Sequence, residues 1–272
     1  MPLMKIGLAT FGLAWGIGVP NFDPPDPPLD HFTFLDAAAA MGAEVVEMLD
    51  NLPLSALEPA ELDRWEARAA EYGVAVQVGV RGVEPELLRR HLALARRFHS
   101  PLLRVLPDFG PQVRHPDAEL LTQHFGPLVR EFADAGVVLA LENHEAFPAA
   151  MLAQVVEALG ADCVRVCLDT VNSVGRLEAP EQVVRALAPY TIDLHLKDFV
   201  IERVPQQLGF TVVGCPVGQG IIDVPALLKA LPADANVVLE QWPPPDTTPE
   251  RTAEREREWA AHSIAYLKSL RG

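Results

Sequence analysis

The sequence predicts a (β/α)8 barrel, and three observations carry that reading. Short apolar runs with no polar face, such as VVLALEN at 137–143, recur along the chain and suit strands covered on both sides. Amphipathic stretches separate them, several opening on Pro and closing on Gly, the start and stop asymmetry of helices. The 272 residues, of which 49% are hydrophobic, are enough for one large core, and a barrel of this kind takes about 250 residues.

In chain order the strands read as KIGLAT (5–10), EVVEML (44–49), AVQVGV (75–80), LLRVLP (102–107), VVLALEN (137–143), VRVCLDT (164–170), TIDLHLKD (191–198) and NVVLEQ (236–241). Helical segments between them include ELDRWEARAAEYG, PELLRRHLALARRF, PLVREFADAG, AMLAQVVEALG, PEQVVRALA and PALLKAL, and PERTAEREREWAAHSIAYLKSL closes the chain. Strands alternating with helices pair in parallel most naturally, and closing the sheet removes its edges. The Pro-rich stretch VPNFDPPDPPLD (19–30) follows strand one and is expected to be a stiff loop over the barrel mouth. No linker divides the chain, so a single barrel domain over 1–272 is expected.

Charge and composition exclude several function classes. With 22 basic against 37 acidic residues the net charge is -15, a field that repels polyanions, so no nucleic-acid partner is expected. The three cysteines, Cys163, Cys167 and Cys215, form no CxxC pair, which argues against a disulfide framework or a thiolate zinc site. No stretch approaches the roughly 18 apolar residues of a membrane span, so no membrane partner is expected and a cytoplasmic, reducing location is the default.

In such a barrel the C-terminal ends of the strands share one face, where active sites are normally built. Those ends carry Glu47, Arg104, Glu142, Asp169, His195 with Lys197, and Glu240. Three carboxylates and an imidazole, Glu142, Asp169, Glu240 and His195, come from four consecutive strands. Like charges at close range raise one another's pKa steeply, and a divalent cation resolves the conflict. Three oxygen donors and one imidazole suit Mn²⁺ and also admit Mg²⁺, Co²⁺, Fe²⁺ or Zn²⁺.

LENHE, CLDTVNS, HLKDF, PVGQGIID and VLEQW resemble the xylose isomerase-like barrel proteins of the sugar phosphate isomerase/epimerase family, which includes ketose 3-epimerases, hydroxypyruvate isomerase, oxo-sugar-acid decarboxylases and endonuclease IV. The resemblance covers essentially the whole barrel and is most specific in its second half. It implies that Glu142, Asp169, His195 and Glu240 bind one divalent ion, with both glutamates exchanging protons with substrate. Many relatives have a histidine three residues after the strand-six Asp; here Asn172 stands there. That departure, the missing additional histidines and the charge set the chain apart from an endonuclease, and Asn172 is also a departure from the pattern of a standard 3-epimerase.

The expected reaction is isomerisation or epimerisation of a keto sugar or sugar phosphate through a metal-stabilised enediolate, with Glu240 as base and Glu142 as its partner. The alternative is decarboxylation of a 3-oxo sugar acid, which passes through the same enediolate. A non-catalytic sugar-binding barrel is the rival from another class, weakened by the retention of all four ligands. The partner is then a small-molecule sugar, and a homo-oligomer is compatible with the sequence. Substrate contacts are expected from Glu47, Arg104, His144, Asn172, Lys197 and Trp242, with Arg104 suited to clamp a carboxylate or to pair with an acid. Gly218 and Gly220 of PVGQGIID are a weak phosphate signal, Asp223 reads as a helix N-cap, and Phe199 to Ile222 as a cover over the mouth. Strand alternation turns Arg165 and Asp193 inward below the cation layer, where each needs a charged partner.

Overall fold

A computed structural model describes residues 4–271. Eight parallel strands close into a barrel: β1 (Ile6–Ala9), β2 (Val45–Met48), β3 (Ala75–Arg81), β4 (Leu102–Leu106), β5 (Val138–Glu142), β6 (Val164–Asp169), β7 (Thr191–Leu196) and, after a two-stranded hairpin of β8 (Asp198–Arg203) and β9 (Phe210–Cys215), the last stave β10 (Asn236–Leu239). Around the cylinder the order is β1-β10-β7-β6-β5-β4-β3-β2. All eight expected strands are present, their bounds shifted by one or two residues. The seventh ends at Leu196, because Asp198 starts an antiparallel hairpin; the expected cover, Phe199 to Ile222, forms that hairpin and the turn after it and contributes no residue to the lining of the mouth cavity.

The helices are α1 (Ala14–Ile17), α2 (His31–Ala40), α3 (Pro59–Tyr72), α4 (Pro85–Arg97), α5 (Ala118–Ala135), α6 (Ala149–Leu159), α7 (Pro180–Leu187), α8 (Val224–Ala230) and α9 (Pro249–Leu270). Helix α3 shows the local logic: Pro59 opens it and Gly73, in the left-handed conformation at φ 67°, closes it. Helix α5 corrects a sequence expectation. Pro127 lies inside it rather than at its start, since Asp117 caps the chain ten residues earlier by accepting the Leu120 N–H at 2.8 Å. Asp223 caps α8 as expected, accepting the Ala226 N–H at 3.0 Å.

The main core lies between sheet and helices and includes Trp65, Phe34, Phe125, Phe132 and Phe147. Inside the cylinder the apolar fill is slight: Ala9, Val45, Leu49 and Val238 on one side, and Leu102, Ala140, Cys167 and Ile192 on the other. Buried polar side chains, among them Glu47, Gln77, Arg104, Asp193 and His195, take up the rest.

Arg165 and Asp193 do not meet. A register shift between Val166 and Cys167 sets Cys167 opposite Asp193, which leaves Arg165 at the lower rim. There it pairs with Asp234 at 2.7 Å and donates to the Thr191 carbonyl at 2.6 Å, while Asp193 lies 3.6 Å from His195 Nε2. The half-buried Arg165 therefore has a charged partner, while the buried Asp193 has His195 beside it.

Candidate metal centre and active site

Period-two alternation delivers the site. Register sets Asp169 beside His195, and Glu142 beside Cys167 on β6, so Glu142, Asp169 and His195 all end inward at the mouth. Glu240 follows β10, its N–H bonded to the Leu196 carbonyl at 3.1 Å, which brings it level with Lys197. All four expected ligands are at most 2% exposed.

Asp169, His195 and Glu240 offer ligand atoms within 4.8 Å of one another. His195 Nδ1 is 3.2 Å from Glu240 Oε1 and 3.6 Å from Glu142 Oε2, so the imidazole stands between the two glutamates. Asp169 is aimed by its own loop: Oδ1 accepts the Val171 and Asn172 N–H groups, each at 2.7 Å, which turns Oδ2 toward the cluster. Asn143 ties β5 to β6, accepting the Asp169 N–H at 2.7 Å and donating to its carbonyl at 2.9 Å. Thr170 likewise bonds both the Lys197 N–H and its carbonyl, at 2.9 and 2.7 Å.

Two cations are built in. Lys197 Nζ bridges Asp169 Oδ2 and Glu240 Oε2 at 2.7 Å each, and its ammonium lies well above the usual lysine range because these acids outweigh the effect of burial. Arg104 Nε donates to Glu142 Oε2, and Asn172 Nδ2 donates to Glu142 Oε1 at 2.8 Å. Burial alone would push the Glu142 carboxyl up; Arg104, His195 and Lys197 instead hold it well below the carboxylate range. Glu240 is lowered in the same way by Lys197 and His195 against its burial. Asp169 is raised, burial and the two neighbouring glutamates prevailing over Lys197. Burial and Glu47 push the Asp193 carboxyl well up.

The donor set fits a divalent ion. His195 Nδ1 and Glu240 Oε1 are buried and, among the described residues, accept or donate no hydrogen bond, while Asp169 Oδ2 has the Lys197 ammonium beside it at 2.7 Å. Five carboxylates (Glu47, Glu142, Asp169, Asp193 and Glu240) share this interior with two permanent cations (Arg104 and Lys197) and one imidazole. The acids outnumber the cations, an excess that a divalent ion offsets.

Above the cluster opens a cavity of about 570 Å³, within the usual range of small-molecule sites. Arg104, Glu142, His144, Asn172, Lys197, Glu240 and Trp242 line it, as do Phe11, Trp15 and Val19, Pro20 and Phe22 of the Pro-rich stretch. Trp15 and Phe22 meet edge to face at 5.0 Å and form one wall. Of the expected substrate contacts, Arg104, His144, Asn172, Lys197 and Trp242 are thus at the cavity. Glu47 is not: it is fully buried beneath His195, whose Nε2 it meets at 2.5 Å, and that imidazole closes it off from the cavity.

Gly218 and Gly220 also have another explanation. The buried carboxylate of Asp198 accepts the N–H groups of Phe199, Gly218, Gly220 and Ile222 at 2.9 to 3.2 Å and so shapes the whole PVGQG turn. Asn143, Thr170, Asp198, Asp50 and Arg81 have places in or around the site that were not assigned from the sequence. Asn143 and Asp198 lie within the LENHE and HLKDF motifs, the only signal that could have pointed to them.

A closed parallel barrel with carboxylates and a histidine gathered at its C-terminal mouth defines a barrel with a candidate metal-binding site. The chain belongs to the xylose isomerase-like TIM barrel family, whose profile matches residues 35–270. It is 32% identical over 269 residues to 3-oxo-isoapionate decarboxylase of Pectobacterium atrosepticum, covering 97% of this chain and 95% of that one. Among solved structures, D-psicose 3-epimerase in the presence of D-fructose superposes with a TM-score of 0.69 at 13% identity, covering 99% of this chain and all of that one. A xylose isomerase-like barrel protein of Mycobacterium smegmatis in complex with magnesium gives 0.67 at 16% identity, with 97% of each chain covered. These two likenesses show the fold. The relatives are enzymes, and so is this protein.

Proposed function

We propose that the protein is a divalent-metal-dependent decarboxylase of a 3-oxo sugar acid. The observation that carries this reading is the clamp on Glu142. Epimerisation needs two groups that alternately take and return a proton at carbon, each with a pKa near the working pH. Glu142 is bonded through both oxygens, to Arg104 and Asn172, and held well below the carboxylate range, which makes it a poor base. Loss of CO2 requires no base. The resemblance over nearly its whole length to a decarboxylase of an oxo sugar acid supports the same choice.

Glu142, Asp169, His195 and Glu240 would hold the ion, with Mn²⁺ the best match and Mg²⁺, Co²⁺, Fe²⁺ or Zn²⁺ admitted. Bound there, the ion would polarise the substrate ketone and offset the charge that develops on it. The chain supplies the rest. Trp15, Phe22 and Trp242 line the cavity and give it an apolar wall. When the C–C bond breaks, its electron pair enters the former ketone and CO2 departs. The vacated carbon then takes one proton, which Lys197 carries at 2.7 Å from Glu240 Oε2 and recovers from solvent afterwards. Asn172, where relatives have histidine, holds Glu142 in place and takes no proton.

A second reading, isomerisation or epimerisation of a keto sugar, draws on the position of Glu142 and Glu240 on either side of His195 Nδ1. Incubating Mn²⁺-loaded enzyme in D2O with 3-oxo sugar acids and with ketoses separates the two. One equivalent of CO2 with one deuteron at the vacated carbon is expected; deuterium exchange into a ketose without CO2 would overturn the proposal in favour of isomerisation.

A further inference from the structure

We propose that Glu47 is the positioning residue of His195, fixing which imidazole nitrogen faces the cation. The inference rests on the cation site described above and not on which reaction it serves.

The geometry is one-sided. His195 Nε2 lies 2.5 Å from Glu47 Oε2 in a fully buried contact that crosses the barrel interior from β7 to β2. A carboxylate can only accept, so Nε2 carries the hydrogen. Nδ1, which has no hydrogen-bond partner among the described residues and lies 3.6 Å from Glu142 and 3.2 Å from Glu240, is the nitrogen that faces the other expected ligands. A ring that donates from one nitrogen to a carboxylate presents the other as a ligand in a fixed tautomer and orientation, with greater basicity.

Glu47 is itself held. Its Oε1 accepts from Gln77 Nε2 at 3.4 Å, Gln77 Oε1 accepts from Asn236 Nδ2 at 2.5 Å, and Asn236 Oδ1 accepts the Lys5 N–H at 3.2 Å. Three strands and the segment entering β1 thus fix one imidazole. Such a chain of polar groups takes the place of the aliphatic layers that usually fill a barrel interior. It has a reason to exist if the ring above must not rotate. Glu47 does not line the cavity, and besides His195 it neighbours the buried Asp193.

The test is Mn²⁺ binding, followed by the paramagnetic resonance signal of the free ion, in the wild type and in Glu47→Gln and Glu47→Ala. Circular dichroism and thermal unfolding run in parallel establish that each variant is folded. Loss of about 10- to 100-fold in affinity is expected for Glu47→Ala, with a smaller loss for Glu47→Gln, whose amide oxygen can still accept from Nε2. ¹⁵N-histidine spectra of the Mg²⁺-loaded wild type, where the ion is diamagnetic, should show His195 protonated at Nε2 and bare at Nδ1. Folded variants that bind Mn²⁺ as tightly as the wild type, or a His195 protonated at Nδ1, would overturn the inference. Neither readout involves turnover: a wild type that binds Mn²⁺ through this tautomer yet releases no CO2 would overturn the proposed reaction alone.

Discussion

A buried carboxylate persists only where something offsets its charge, and at Glu142 Arg104 does so. Replacing Arg104 with Leu should therefore cost the metal-free protein about 3–5 kcal/mol, the usual result of stripping one partner from a buried pair. With saturating Mn²⁺ the loss should shrink, because the ion supplies the missing charge. Urea unfolding with and without Mn²⁺ reads both values, and equal losses would contradict the role given to the site. Lys197 makes the complementary case. Lys197→Met should retain Mn²⁺ binding yet lower kcat by about 10²- to 10⁴-fold, the usual worth of a positioned acid; an unchanged kcat would remove Lys197 from the chemistry. The four expected ligands were legible because strand alternation and the shared barrel end place them without any knowledge of distances. Glu47 was misplaced because its partner is across the barrel, 148 positions away in sequence, and no local pattern announces such a contact. Asn143 and Asp198 bond mainly to backbone, which leaves no charge pattern to read.

At the scale of elements, loops are fixed by single acids. Asp198 gathers the turn after β9, and Gly220 is there because a Cβ would lie 2.1 Å from Asp198 Oδ1 and 2.5 Å from the Phe199 carbonyl oxygen. Gly220→Ala should accordingly destabilise by about 1–3 kcal/mol, the range for overpacking; a melting temperature equal to that of the wild type would contradict this. Glu256 on α9 does the same for the first turn of α1, accepting the Trp15 and Gly16 N–H groups at 3.0 Å each, and so fixes one cavity wall. Burial pushes its carboxyl up to about 8, those two bonds notwithstanding. The folded state then binds the proton more tightly than the unfolded chain, whose value is near 4.5. The stability gained is complete below that value and is lost as pH rises through about 8. Wild-type stability relative to Glu256→Gln should hence fall between about pH 5 and about pH 8, and a pH-independent difference would count against it. Helix existence was legible from Pro and Gly punctuation, but the start of α5 was not. Pro127 mimics a helix opening, whereas the true cap, Asp117, lies in the polar stretch before it.

For the molecule as a whole, closing the sheet decides the function. Residues far apart in sequence meet because eight strands end on one rim, and Val/Leu runs with helical segments between them were enough to read that closure in advance. No helix among the described residues is long and apolar enough to cross a membrane. The uncommon feature is the interior, where five carboxylates, Glu47, Glu142, Asp169, Asp193 and Glu240, replace aliphatic layers. An interior of that composition calls for cations beside it: Arg104 and Lys197 are two, and the proposed metal ion would be a third. The most direct test of the third is anomalous diffraction at the manganese edge from crystals grown with saturating Mn²⁺. A single peak in contact with Glu142, Asp169, His195 Nδ1 and Glu240 is predicted; a peak elsewhere, or none at these four side chains, would contradict the account.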